Sequence, residues 1–219
     1  MKINSYDTLL AEAKNWSGRT DLTDDQYNSF IYFTGSMANQ LLRVAPMEST
    51  VILDVTEDGH VTIPPDFLEL KSLTAFFDDD DSVPLSRVAW EQYVNYVNDD
   101  SNVTETQPHY FAQQGPFWFL APKPAVGTKV TCHYFRTMPD IQPSEQANWL
   151  VQLSPLTYLY GVLHFLHLFV YDEERAAYWL EKLQGELTRL QLMYDSTTHS
   201  GSSLQVRSQM TSGDSSDVL

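Results

Sequence analysis

A single cysteine, Cys132, serves 219 residues, so the chain forms no intrachain disulfide and builds no multi-cysteine metal site. Cations are scarce too. Thirteen Lys and Arg face 29 Asp and Glu, a formal net charge of -16. The cations are scattered singly, whereas binding a phosphate backbone needs them clustered to displace counterions, so the composition argues against nucleic-acid affinity. Glycine is thin: no two of the nine lie closer than twelve residues, which excludes both G-x-G-x-x-G and a P-loop. No His is followed by Glu, so the H-E-x-x-H zinc motif is missing, and there is no G-x-S-x-G nucleophile elbow. Nothing in the sequence marks an enzyme, a resident metal or a cofactor.

A membrane-spanning run is lacking as well. Residues 146–171 carry no charge, but Asn148, Gln152, Pro155, His164 and His167 interrupt them, and the downstream flank is acidic. About sixteen strongly apolar residues remain, short of the ~20 that a span needs. Met1–Trp16 lacks the basic-then-apolar order of a signal peptide, which argues against export by that route.

What is present is enough for a core. The hydrophobic fraction is 42% with five Trp, which excludes a wholly disordered acidic chain. The length suits one elaborated domain or two small ones, burying roughly 70% of the unfolded chain's surface.

Periodicity divides the chain into helices, strands, helices and a tail. Leu9, Ala13 and Trp16 share one helical face within residues 5–16, and Ser17-Gly18 closes it. Thr23-Asp24-Asp25-Gln26 reads as a capping box. Behind it Tyr27, Phe30, Ile31, Thr34, Met37, Ala38 and Leu41 recur at helical spacing until Pro46. From Glu48 the period becomes two. Residues 51–55 and 61–63 around Glu57-Asp58-Gly59 read as a hairpin, and Pro64-Pro65 ends it. A strand over 68–77, a helix within 86–97, a hairpin around Gly115-Pro116 and a strand over 129–135 follow. Ser154-Pro155 starts a helix that is apolar on nearly every face through Tyr171. Asp172 caps a last helix whose Ala176, Leu180, Leu183, Leu187, Leu190 and Tyr194 form one narrow seam. Eleven of the last 25 residues are Ser or Thr, and residues 196–219 read as an extended tail.

Four clusters are candidate sites. Asp78–Asp81 offers hard oxygens for Ca²⁺ or Mg²⁺, yet no register supplies an EF-hand glycine, and a solvated turn explains it as well. His164 and His167 sit three apart, a spacing for helix packing, for a shared metal at a subunit interface or for a pH-sensitive contact. Cys132 and His133 are strand neighbours on opposite faces and form no nucleophile–base pair. Asp172-Glu173-Glu174 complements a helix dipole. The uncharged helix is more telling. In a water-soluble chain an all-round apolar helix must be covered on all sides. Tyr158, Leu159, Val162, Leu163, Phe165, Leu166 and Phe169 are accordingly candidates for packing against neighbouring subunits.

These segments, in this order, resemble the adaptor proteins at the head–tail joint of tailed bacteriophages, the tail tubular protein A type. The residues that carry the resemblance begin with Val61-Thr62-Ile63-Pro64-Pro65-Asp66-Phe67 and Pro108-His109-Tyr110 ahead of Gly115. Leu120-Ala121-Pro122-Lys123-Pro124 and Tyr134-Phe135 leading to Pro139 follow. Asn148-Trp149-Leu150, Ser154–Gly161 and Asp172–Ala177 complete the series.

The resemblance implies an α+β fold. In it, residues 1–46 and 146–195 make a helical bundle, residues 47–145 an inserted β-rich lobe and 196–219 a C-terminal tail. It implies a homo-oligomeric ring, commonly of twelve copies, between the portal protein and the tail nozzle or tail tube protein. The tail would grip the portal, with Leu204, Gln205, Val206, Arg207 and Met210 as its candidate docking residues. DNA would pass through without specific binding. The expected location is the virion neck, with the host cytoplasm as the site of assembly. A tail-completion or terminator ring protein, an acidic regulatory binding domain and a small metal-dependent hydrolase are the alternatives.

Overall fold

The computed structural model describes residues 2–78, 81–98 and 107–199. Its elements are α1 (Tyr6–Ser17), α2 (Asp24–Leu41), β1 (Glu48–Asp54), β2 (His60–Thr62), β3 (Phe67–Asp78), β4 (Asp81–Pro84), β5 (Ser86–Arg87), α3 (Trp90–Asn98), β6 (Tyr110–Gln114), β7 (Phe117–Ala121), β8 (Lys129–Arg136), α4 (Trp149–Leu153), α5 (Pro155–Phe169) and α6 (Glu173–His199). The fold is α+β: helices from both ends of the chain pack together, and the strands lie between them in sequence.

The caps explain where the helices begin and end. Ser5 and Thr8 form a capping box on α1, and Gly18 ends the helix in the left-handed region, its N–H on the Lys14 carbonyl. Thr23 and Gln26 cap α2 as their spacing predicts. The Asn148 carboxamide oxygen accepts from Val151 N–H at 3.1 Å and opens α4. Asp172 accepts from Arg175 N–H at 3.2 Å and opens α6. Between α5 and α6 the chain turns sharply: Tyr171 N–H bonds the Leu168 carbonyl and Asp172 N–H that of His167. Tyr171 itself takes φ 60°, a place usually given to glycine.

α5 is the axis of the helical half. Buried residues of α1, α2, α4 and α6 surround it in one cluster. The apolar seam on α6 is used as its spacing predicts, with Ala176, Leu183, Leu187 and Leu190 buried. Two glycine positions allow close approach. A Cβ on Gly161 would come within 2.2 Å of Thr34 Cγ2, and one on Gly35 within 3.1 Å of the Tyr158 hydroxyl.

The strands form two four-stranded sheets, ordered β1-β8-β3-β4 and β2-β7-β6-β5. Val130, Cys132 and Tyr134 of β8, with Leu73 and Ala75 of β3, meet Val61, Phe111, Trp118 and Leu120 of the other sheet in a second core. Trp118 is its centre, edge-on to Phe67 at 5.2 Å and to Phe111 at 6.2 Å. Pro84 lies on β4, an edge strand where a missing donor costs nothing.

Three sequence expectations change. The hairpin expected between residues 51–55 and 61–63 does not form: β1 pairs with β8 and β2 with β7. The turn is real, since Thr56 N–H bonds the His60 carbonyl and Gly59 takes φ 78°, but the chain crosses there from one sheet to the other. The helix within 86–97 starts at Trp90 after a two-residue strand. It packs by Trp90 and Tyr93 on Phe119, at 5.6 and 6.1 Å, leaving Val94 and Val97 exposed. Finally, α6 continues to His199, past the expected start of the tail.

A few polar contacts tie the helices to the strands. Asn39 donates to the Met138 carbonyl at 3.3 Å and accepts its N–H at 2.7 Å. Arg43 pairs with Glu69 at 2.8 Å, while its own backbone is bracketed by the Gln191 carboxamide.

Candidate interaction surfaces

Five of the seven α5 residues expected at a subunit contact, Tyr158, Leu159, Val162, Leu163 and Leu166, are buried in the chain's own helical core. The bundle itself covers them. Phe165 is half-buried and Phe169 is exposed, so only the margin of α5 reaches a surface.

That margin belongs to an aromatic face. Phe33 of α2, 45% exposed, lies 5.5 Å from Phe165 and 6.0 Å from Tyr32, which is also exposed. Phe169 stands 5.7 Å from Phe30. Tyr171, 93% exposed, follows at the end of α5. A second aromatic face lies across the bundle. Trp179 of α6 stacks on Tyr160 at 5.7 Å and meets Tyr178 at 4.9 Å and Trp16 at 6.0 Å. Trp16 and Tyr178 are about half exposed. Tyr160 and Phe169 are nine residues apart, two and a half helical turns, so the two faces leave α5 on opposite sides.

Sequence periodicity alone missed Tyr32, Phe33, Trp16 and Tyr178 as surface groups. A signal was there. Tyr32 and Phe33 sit between Phe30-Ile31 and Thr34, which widens the apolar arc of α2 beyond the ~100° stripe that a core-facing helix uses.

Most of the positive charge on the described residues is held in ion pairs. At least eight of the 13 Lys and Arg sit in ion pairs: Lys14–Asp24, Arg19–Asp21, Arg43–Glu69, Lys71–Glu48, Lys129–Asp54, Arg175–Asp172, Lys182–Glu181 and Arg189–Glu186. Most are well exposed and add little stability. Their effect is on the surface potential, because each of these eight cations is answered locally by an acid while the chain keeps its net charge of -16.

The other candidates resolve individually. His164 Nδ1 is 2.9 Å from the Ala176 carbonyl, a helix-to-helix contact. His167 Nδ1 is buried without a hydrogen-bond partner, its nearest anion being Asp172 Oδ2 at 3.5 Å. Burial holds its pKa below the ordinary histidine value; Asp172 pulls the other way, and Arg175 and Arg19 add to the depression. Among the described residues no three His, Cys, Asp or Glu side chains converge as a metal site, and no helix is long and apolar enough to cross a membrane. Burial pushes the Cys132 thiol up to about 12, and His133, on the opposite face, bonds Thr50 Oγ1 at 2.8 Å. Asp79 and Asp80 lie outside the described residues, as do Leu204, Gln205, Val206, Arg207 and Met210.

Most of the exposed aromatics of the helical half thus lie on two opposed faces of the bundle. A family model matched over residues 4–207 places the chain among phage adaptor proteins. The chain belongs to the SU10 adaptor protein family, a family of phage head–tail adaptors. Members serve in the virion by joining other head and tail proteins. No curated protein matches the chain.

Proposed function

We propose that this chain is a structural head-to-tail adaptor that forms a ring beneath the portal, joins it to the tail nozzle or tail tube, and extends the DNA channel. The observation that carries this reading is the pair of aromatic faces on opposite sides of one bundle. A closed ring is built from heterologous contacts, in which one face of each copy meets a different face of the next. The α2–α5 face (Tyr32, Phe33, Phe169) and the α1–α6 face (Trp16, Tyr178, Trp179) supply such a pair. Tyr171 supports it further: a left-handed, almost fully exposed aromatic costs stability and gains no packing within its own chain.

In this reading twelve copies match the portal, and the protein acts without catalysis at the neck of the virion after assembly in the host cytoplasm. Residues 1–46 and 146–195 form the bundle that makes the ring, and residues 47–145 form a lobe inserted into it. Two separate hydrophobic clusters support that division. Residues from 196 onward grip the portal. The charge of -16 suits a conduit, because a negative lumen repels DNA of any sequence.

The test is electron microscopy of the protein mixed with portal rings, together with the variants Phe33→Asp and Trp16→Asp. A second ring stacked on the first is expected with the natural chain and with neither variant, both variants remaining folded by circular dichroism. Portal rings left bare by the natural protein, or variants that assemble as well as it does, would overturn the reading.

A further inference from the structure

Between the C-terminal end of α2 and the second half of α6 lies a groove of about 480 Å³, whose lining includes Leu41, Leu42, Leu187 and Leu192 with Gln184 and Thr188. Leu42 and Leu187 are buried and belong to the helical core, whereas Leu41 and Leu192 stay 55% and 63% exposed. No charged residue lines it. Thr188 is nine residues from Trp179, two and a half helical turns, so the groove opens on the flank of α6 away from the α1–α6 aromatic face.

The same chain carries a knob of the matching kind. Tyr171 is 93% exposed at φ 60°, so the α5–α6 turn holds an aromatic ring out in water at a cost in backbone strain. Strain of this sort persists where the position has a use. Tyr171 cannot reach the groove of its own chain. α6 starts at Glu173 and Thr188 is fifteen residues further on, about 22 Å along the helix, far beyond the length of a tyrosine side chain. Charge favours a second copy as the source of the knob. Residues 168–171 are as uncharged as the groove, so two chains of net charge -16 meet here without placing further acids face to face.

We propose that Tyr171 of one copy seats in the α2–α6 groove of a second copy, its ring between Leu41 and Leu192 and its hydroxyl on Gln184 or Thr188. Knob and groove lie toward opposite ends of the bundle, so the contact is heterologous. Each copy offers its knob to one neighbour and its groove to another, and the contact either closes on itself or repeats. It forms between free subunits and requires nothing of the portal reading.

The test is photo-crosslinking of the full chain carrying Tyr171→p-benzoylphenylalanine, which keeps an aromatic ring at the knob. It is mixed with ¹⁵N-labelled natural chain, irradiated, and its crosslinked peptides are identified by mass spectrometry. The expected crosslinks join unlabelled residue 171 to labelled residues 41–42 or 184–192. Crosslinks to any other part of the second copy, or none between copies, would overturn the proposal. Sedimentation of the full chain is the second measure. Tyr171→Gly, which removes the knob, and Thr188→Trp, which fills the groove, should each weaken self-association at least tenfold with the circular dichroism unchanged. Self-association as strong in both variants as in the natural chain would also sink the contact. Rings stacked on the portal by a chain that shows no such crosslink would strike this contact and leave the ring reading standing, whereas the crosslink without portal rings would do the reverse.

Discussion

Thr34 of α2 packs directly against the Cα of Gly161 on α5, so closely that a Cβ on Gly161 would overlap its Cγ2 at 2.2 Å and its Oγ1 at 2.6 Å. Thr34 has nowhere to go, since it is buried and its hydroxyl donates to the Phe30 carbonyl at 2.8 Å. Gly161→Ala should therefore destabilise by about 1–3 kcal/mol, despite the better helix propensity of alanine. The double variant with Thr34→Ala should cost less than the sum of the two single changes. Urea unfolding of the four proteins measures this, and simple additivity would show that the two helices can separate freely.

Asn148 is the polar hinge of the same core. It caps α4, donates to the Pro139 carbonyl at 2.9 Å and donates to the Tyr158 hydroxyl at 2.8 Å. Asn148→Ala removes the cap and strands both acceptors, which should cost about 2–3 kcal/mol. Tyr158→Phe, losing one of those bonds, should cost about 1 kcal/mol. Equal losses from the two would show that the cap and the Pro139 bond carry nothing.

Replacing Tyr171 by glycine should separate stability from assembly. Its φ of 60° suits glycine, and its exposed ring packs on nothing within the chain. Thermal unfolding of Tyr171→Gly should report a gain of about 0.5–1 kcal/mol. If the ring reading holds, the same variant assembles less well on portal. A destabilised variant would mean that the turn depends on the tyrosine side chain.

His167 makes stability depend on pH. Burial holds its pKa below the unfolded value of about 6.5, so the unfolded chain takes up the proton first as pH falls. The contribution of neutral His167 is complete above about pH 6.5 and is lost progressively below it. Between pH 7 and 5.5, His167→Gln should lose less stability than the natural chain. Parallel slopes for the two proteins would assign the acid sensitivity to other groups.

Cys132 should be inert in the folded state. It is buried on β8, and desolvation pushes its thiol up to about 12, leaving almost no thiolate at pH 8. Iodoacetamide should label it at least 100-fold more slowly in the native protein than in urea. Rapid native labelling would show that the two sheets part readily.

Much of this molecule is legible in the linear chain because the information is local. The Thr23–Gln26 box, Pro155 at a helix start, the Asp172 cap and the seam on α6 each rest on residues within a few turns of one another, and each forms as its spacing predicts. The interaction surfaces were less legible. Buried and exposed aromatics look alike in sequence, and Tyr158 and Phe169 differ only in which helix lies alongside. The Leu156–Tyr171 run showed that α5 needed cover but not what supplied it; its own bundle supplies most of it.

By itself the sequence determined most helices, most strands and the acidic balance, since these follow from composition and short-range spacing, while the adaptor family is shown by the family match over residues 4–207. Only the tertiary structure decided that β1 joins β8 rather than β2, that α3 packs by Trp90 and Tyr93, and that Tyr32, Phe33 and Phe169 fall on one face of the bundle and Trp16 and Tyr178 on the other. The reason is range. A turn such as Thr56–His60 is fixed by neighbouring residues, whereas a ladder partner or a surface is chosen by the burial of groups tens of residues away, whose pairing no local pattern records.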